Sequence, residues 1–459
     1  MVTGLTFVAG LVRYVGIAWP HGFVFDEFYA ADACLYVFGP HGACQTTAEV
    51  GVEHPPLGMW LIGMGERVLG MTPTGWRAAS LVAGTVGVCV LYVIARRLLG
   101  STLAASLAAG LLAFDFLHFV MSRTAMLDIF VVCFGLIAFW CLLHDRDAPA
   151  TAPGPAALRR RLRERPWLLA TGMAGGAALA TKWSGGYLLA GLLALAILFG
   201  AARRSPGPQP YRRALREEGA LWLVALVLIP AAIYMTAYAG RLNGTLLAWP
   251  WAPDSWVRAF LTRQHEMLAH HTGALYVHPY ASPAWSWPLI RRPVLFTINA
   301  LPDGGYQEIL ALGNPFAWWP ALAALAVVMW RALRRRDARS PDTLIAIGFL
   351  AGYLPWLILS RREAFIYYLL PAVPFLYLAL AHVIAAVSRR ATRVTVTGVL
   401  TAAVVASFVF FRPILIGRTL SHPQWERRLL FRDCGPMAPG DTLRPFTEAV
   451  PSPRGWCWA

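Results

Sequence analysis

Lysine is almost missing from this chain: of forty basic residues only Lys182 is not arginine. Acids are scarce too, 24 against those 40, and charged residues of both signs make up 14% of the sequence, where a soluble domain carries about a quarter. That shortage excludes an ordinary soluble protein. There is no CxxC pair and no His-rich metal spacing, which excludes a zinc module. No internal repeat of the kind transporters carry is present. Nor does the net charge of +16 fall within any nucleic-acid-binding module, so no nucleic-acid partner is expected.

What the chain has is apolar sequence, 57% of its residues, at a mean hydropathy of +0.52. Runs of about 20 apolar residues can cross a bilayer. They recur at roughly 2–19, 76–96, 101–121, 124–144, 167–181, 184–202, 219–240, 314–332, 342–360, 364–387 and 394–412. The expected fold is therefore an all-α polytopic membrane protein of about eleven spans. The first segment lacks a basic leader and a small-residue cleavage site, so it reads as a span and not a signal peptide.

Arginine runs at Arg96-Arg97, Arg159 to Arg165, Arg203 to Arg216, Arg331 to Arg339 and Arg389 to Arg393 separate these segments. With the N-terminus in the cytoplasm every run falls on the cytoplasmic side. Regions 20–75, 241–313 and 413–459 then lie outside, giving a membrane domain over 1–412 and an external tail over 413–459. Cys34 with Cys44, and Cys434 with Cys457, share external regions and could form disulfides there; Cys89, Cys133 and Cys141 read as packing residues.

Polar residues that could do chemistry gather near the external ends of the spans. Asp26 and Glu27 follow the first span, where like charge and partial desolvation raise carboxylate pKa values and suit a general base. Glu53-His54-Pro55-Pro56-Leu57-Gly58 comes next in the same loop, and Arg77 opens the second span. Asp115 and His118 precede Ser122-Arg123-Thr124-Ala125-Met126-Leu127-Asp128, and Thr181-Lys182-Trp183 forms a later external turn. A cation here either snorkels at the membrane edge or holds an anionic ligand. Asp115, His118, Arg123 and Asp128 read equally as a bracing network and as supporting site residues. His265, His270 and His271 have no acidic cluster beside them, so no metal is expected.

Taken in order, these motifs resemble the protein O-mannosyltransferases, the compact bacterial members most of all. His278-Pro279-Tyr280, Trp285-Ser286-Trp287-Pro288 and Arg362-Glu363-Ala364-Phe365-Ile366-Tyr367 extend the likeness over nearly the whole chain. The resemblance implies a GT-C-type transferase with large external loops. Its donor would be polyprenyl-phosphate-mannose, a substrate and not a cofactor, and no cofactor is expected. The acceptors would be Ser and Thr hydroxyls of secreted polypeptides arriving from the Sec translocon. It also implies Asp26 as general base with Glu27 beside it, and a functional role for Arg77 at the donor phosphate. Lys182, Arg361 and Arg362 are further phosphate candidates by their expected side and depth, with His54 as a supporting residue, and His278 and Tyr280 read equally as lining an acceptor groove and as shaping the loop. Met59 and Tyr368 depart from the family, which often has Lys and His there. Two other readings stay open: a GT-C transferase with a glycan or lipid acceptor, and a secondary transporter.

Overall fold

The computed structural model describes residues 1–38, 44, 53–148, 156–205, 207–238, 253–273, 278–359, 364–434 and 455–458. Helix α1 (Val2–Tyr14) leads into a tight turn (Phe25–Phe28), α2 (Tyr29–Phe38) and α3 (Leu57–Leu69). Then follow α4 (Pro73–Leu99), α5 (Thr102–Ala113), α6 (Phe116–Met121) and α7 (Asp128–Asp145). A short helix α8 (Ala156–Glu164) precedes α9 (Pro166–Thr181), α10 (Gly185–Ala202) and α11 (Pro210–Ala237). The later elements are α12 (Pro253–Gly273), α13 (Pro315–Arg335), α14 (Pro341–Leu359), α15 (Ile366–Ala385) and α16 (Arg390–Leu415).

Among the described residues eight helices are long and apolar enough to cross a membrane: α4, α7, α10, α11, α13, α14, α15 and α16. Two expected spans are shorter, whereas α9, at 16 residues, fills its expected run of 167–181 but is not among the eight. Helix α1 has 13 residues and not the 18 of 2–19. The run 101–121 is broken in two, because Asp115 accepts the His118 amide at 2.7 Å and starts α6 afresh.

Local chemistry explains the other boundaries. Thr72 caps α4 through the Gly75 amide (3.1 Å) with Pro73 in the first turn, and Gly100 ends the helix at φ +65°. Within α11 a wide turn at Val224–Leu228 precedes Pro230, which lacks the amide that a regular helix needs. Close helix contact relies on small residues. A Cβ on Gly172 would lie 1.7 Å from the Ala225 carbonyl oxygen, which fixes how tightly α9 meets α11.

The all-α expectation misses one feature. A hairpin of β1 (Val294–Ala300) and β2 (Gly305–Ala311) is joined by β3 (Leu420–Ser421) in an antiparallel sheet. Its turn uses Asp303, whose carboxylate accepts the Gly305 amide at 3.0 Å, and Gly304 at φ +78°. Both candidate disulfides, Cys34–Cys44 and Cys434–Cys457, are formed. The second ties the segment 455–458 to the end of the β3 region. From there the Trp458 indole donates to the Ile290 carbonyl (2.8 Å) and the Cys457 amide to that of Arg291 (3.2 Å).

Candidate active site

The turn that carries Asp26 is held from several sides. Phe25 has φ +49°, a left-handed backbone that a bulky residue adopts only when its surroundings impose it. The imposing partners are aromatic: Phe296 of β1 stacks on Phe25 at 4.7 Å, and His278, Phe365 and Tyr367 meet it edge-on at 5.9–6.2 Å. The hairpin and the loop before it thus clamp the residue directly ahead of Asp26.

Glu27 is fully buried and satisfied. Its two oxygens accept Arg77 Nε and Nη2, both at 2.7 Å, and the amides of Val24 and Ala125, both at 3.0 Å. Arg77 donates further to the carbonyls of Ile17 (3.0 Å), Pro20 (2.9 Å) and Gly22 (3.2 Å). A guanidinium has five N–H donors, and all five are engaged. In this arrangement Arg77 has none left for a phosphate; with Glu27 it fastens the loop that presents Asp26.

Arg123 does related work: its guanidinium donates to the carbonyls of Arg13, Val15 (2.9 Å) and Gly16 (2.7 Å), at and just past the end of α1. Asp115 and His118 belong to another network. Asp115 also accepts Trp318 (2.7 Å) and Tyr377 (2.5 Å), and His118 Nδ1 accepts the buried Arg13 at 2.9 Å. These five residues, Arg13, Asp115, His118, Trp318 and Tyr377, brace α1, α5, α6, α13 and α15.

Around Asp26 itself stand Lys182, Asp128, Glu53 and Tyr367, all close enough to act on its charge. Lys182, in the turn between α9 and α10, donates to both Asp128 oxygens at 3.0 and 2.8 Å, and its ammonium lies 4.5 Å over the Tyr368 ring. Burial opposes that positive charge, but Asp128, Tyr368 and Asp26 outweigh it and hold the ammonium above its ordinary range. Burial pushes the Asp26 carboxyl up, Lys182 pulls it down, Asp128 and Glu53 push it up again, and a hydrogen bond from Tyr367 pulls down; it comes to rest at about 7. A carboxylate near neutrality is a competent general base at physiological pH.

The wall beyond is aromatic. The His54 ring lies 5.6 Å from Tyr29 and 5.7 Å from His271 of α12, which meets Trp183 at 5.5 Å. His278 accepts the Tyr280 amide (3.2 Å), and Arg292 lies 4.5 Å over the Tyr280 ring, so this pair shapes the loop against Phe25. Arg361 and Arg362 lie outside the described residues.

Sequence reasoning assigned no role to Glu53, Tyr29, Tyr367 or His271. Aromatic residues at a span end read as an interfacial belt, and only Glu53, next to a motif already noted, carried a usable signal. Arg292 was also overlooked, although a double arginine at 291–292, in a loop expected outside, breaks the expected charge asymmetry and asks for a partner.

Residues 3–240 match the family described as dolichyl-phosphate-mannose-protein mannosyltransferase, and residues 256–433 match the C-terminal four-span region of protein-O-mannosyltransferase. The chain is 31% identical to the polyprenol-phosphate-mannose--protein mannosyltransferase of Mycolicibacterium smegmatis, over 94% of this chain and 91% of that one. It is 32% identical to the protein of the same name from Mycobacterium tuberculosis, over 93% and 90%. In fold it is similar to the S. cerevisiae protein O-mannosyltransferase Pmt1-Pmt2 complex bound to the sugar donor, with a TM-score of 0.73 and 16% identity over 93% of this chain and 91% of that one. ArnT from Cupriavidus metallidurans follows at 0.54 and 18%, over 89% and 67%. The chain is a multi-pass membrane glycosyltransferase of GT-C architecture and belongs to the protein O-mannosyltransferase family.

Proposed function

We propose that this enzyme transfers mannose from polyprenyl-phosphate-mannose to Ser and Thr hydroxyls of secreted polypeptides, at the external face of the cell membrane, with inversion at the anomeric carbon. The names of its relatives support donor and acceptor class. The observation that carries the mechanism is Asp26: a half-buried carboxyl near neutrality, on a strained turn, beside the Lys182–Asp128 pair.

Asp26 takes the proton of the acceptor hydroxyl, whose oxygen attacks the anomeric carbon as the bond to the lipid phosphate breaks on the opposite face. The electron pair of that bond leaves with the phosphate, so the site must steady negative charge there and need not protonate it strongly. Lys182 is the cation the described residues bring to Asp26; Arg361 and Arg362 are the further phosphate contacts. The polyprenyl tail lies among the helices, the N-terminus is cytoplasmic, and the polypeptide arrives from the Sec translocon. No metal or cofactor takes part.

The test replaces Asp26 with Asn in purified enzyme given labelled polyprenyl-phosphate-mannose and a Ser/Thr peptide. A general base contributes about a hundredfold to ten-thousandfold, and the transfer rate should fall by that much with the protein still folded. Undiminished transfer removes Asp26 from the mechanism. Transfer by the unaltered enzyme to a glycan or lipid but to no peptide reassigns the acceptor.

A further inference from the structure

The carboxylates around the Asp26 turn differ in what they already hold. Glu27 accepts four hydrogen bonds, Asp128 has both oxygens on Lys182, and Asp26 takes the Tyr367 hydroxyl. Glu53 stands apart: its Oε2 is buried and accepts nothing, although its charge is felt by both Asp26 and Tyr29. Among the described residues it forms no ion pair, whereas Glu27 is paired with Arg77 and Asp128 with Lys182. A carboxylate oxygen shut away from water without a donor is costly. Such an oxygen, on a residue near enough to Asp26 to act on its charge, is a place for a donor that arrives with a ligand.

Position narrows the ligand. Glu53 lies two residues before the buried Pro55 and Pro56, which fix the backbone at the start of α3. Its neighbour His54 is held against Tyr29 and His271, so the loop is braced by ring contacts on one side and proline on the other. Around the carbon attacked in the transfer, a hexose offers several hydroxyl donors. The acceptor brings one hydroxyl to that point, and Asp26 takes its proton.

Resting on the mannosyl-transfer reading above, we propose that Glu53 is a specificity-determining residue whose unpartnered carboxylate oxygen accepts a hydroxyl of the donor hexose. Glu53 thereby selects the sugar, while Asp26 activates the acceptor.

The experiment uses the full chain, polyprenyl-phosphate-mannose, and a donor series in which single hexose hydroxyls are replaced by hydrogen. A hydrogen bond to a charged group is lost at a cost of roughly tenfold to a hundredfold in kcat/KM. Glu53→Ala should lose that factor with the complete donor, and one deoxy donor should impose the same loss on the unaltered enzyme while costing Glu53→Ala almost nothing more. Glu53→Gln, which keeps an acceptor oxygen, should fall between. Equal sensitivity of enzyme and variant to every deoxy donor overturns the inference, as does coupling to N-methylation of the peptide backbone instead. A lowered acid limb with unchanged donor discrimination also overturns it, being what loss of a neighbouring charge alone produces. The donor series on the unaltered enzyme keeps the test open if the variants misfold: a loss below about threefold for every deletion, against the tenfold expected, ends the idea. Absence of transfer from the complete donor would instead defeat the functional reading beneath it.

Discussion

Helices α7 and α9 run antiparallel and are pinned by an ion pair at each end, yet the two ends are finished differently. At one end Asp145 meets Arg165 through both oxygens; Glu218 pairs with Arg165, Arg203 and Arg204; and Glu217 pairs with Arg204. Three acids there face three arginines. About 26 Å away, at 1.5 Å per helical residue, Asp128 meets Lys182 beside Asp26 and Glu53. Among the described residues three acids there face one lysine. A balanced cluster has reached its lowest-energy arrangement and holds helices together. An unbalanced one keeps an acid near neutrality, and that unspent charge is what chemistry uses.

The comparison can be broken first at its inert end. Asp145→Leu strips a buried arginine of its main partner, at a cost of about 3–5 kcal/mol, read as a lower unfolding temperature in detergent; transfer per folded molecule should be unchanged. Lost transfer in a folded variant would mean that the two ends are not separate.

Lys182→Met probes the other end. Lys182 lowers the Asp26 pKa, so its removal moves the acid limb of the pH–rate profile upward from about 7, and transfer at pH 7 falls as less of Asp26 is ionised. Lost stability with an unmoved limb would make Lys182 a strut only. In the unaltered enzyme the rate should climb as pH rises through about 7, because the base works deprotonated.

Backbone strain sharpens the contrast at smaller scale. Arg336, just past α13, has φ +50°, much like Phe25 at +49°. Arg336→Gly should stabilise the protein by about 1 kcal/mol and leave transfer alone, as thermal unfolding and an assay would show. Phe25→Gly relieves the same strain but removes the ring clamped by Phe296, and transfer should fall. A gain of activity there would show that the strained turn serves no purpose.

The long spans were legible because hydropathy and arginine placement are properties of the sequence itself. The 13-residue α1 was not, since its end depends on Arg123 arriving from more than a hundred positions away to hold its carbonyls. Asp26 was legible as a candidate, but the opposite condition of its neighbour was not. Asp26 and Glu27 look alike in the sequence, and only the convergence of Arg77 and two backbone amides makes Glu27 a fastener. The hairpin could have been read from Asp303-Gly304 between alternating residues; hydropathy, tuned to helices, hid it. Lys182 stood out by rarity, whereas its partner Asp128 could be found only by folding.

The segment 455–458 braces the same loop that touches Phe25, through Arg292, which donates to the Cys457 carbonyl and covers Tyr280. More than four hundred residues of chain separate Asp26 from this brace. A chain made only as far as residue 454 therefore has its long helices but lacks the Cys457 carbonyl that Arg292 holds.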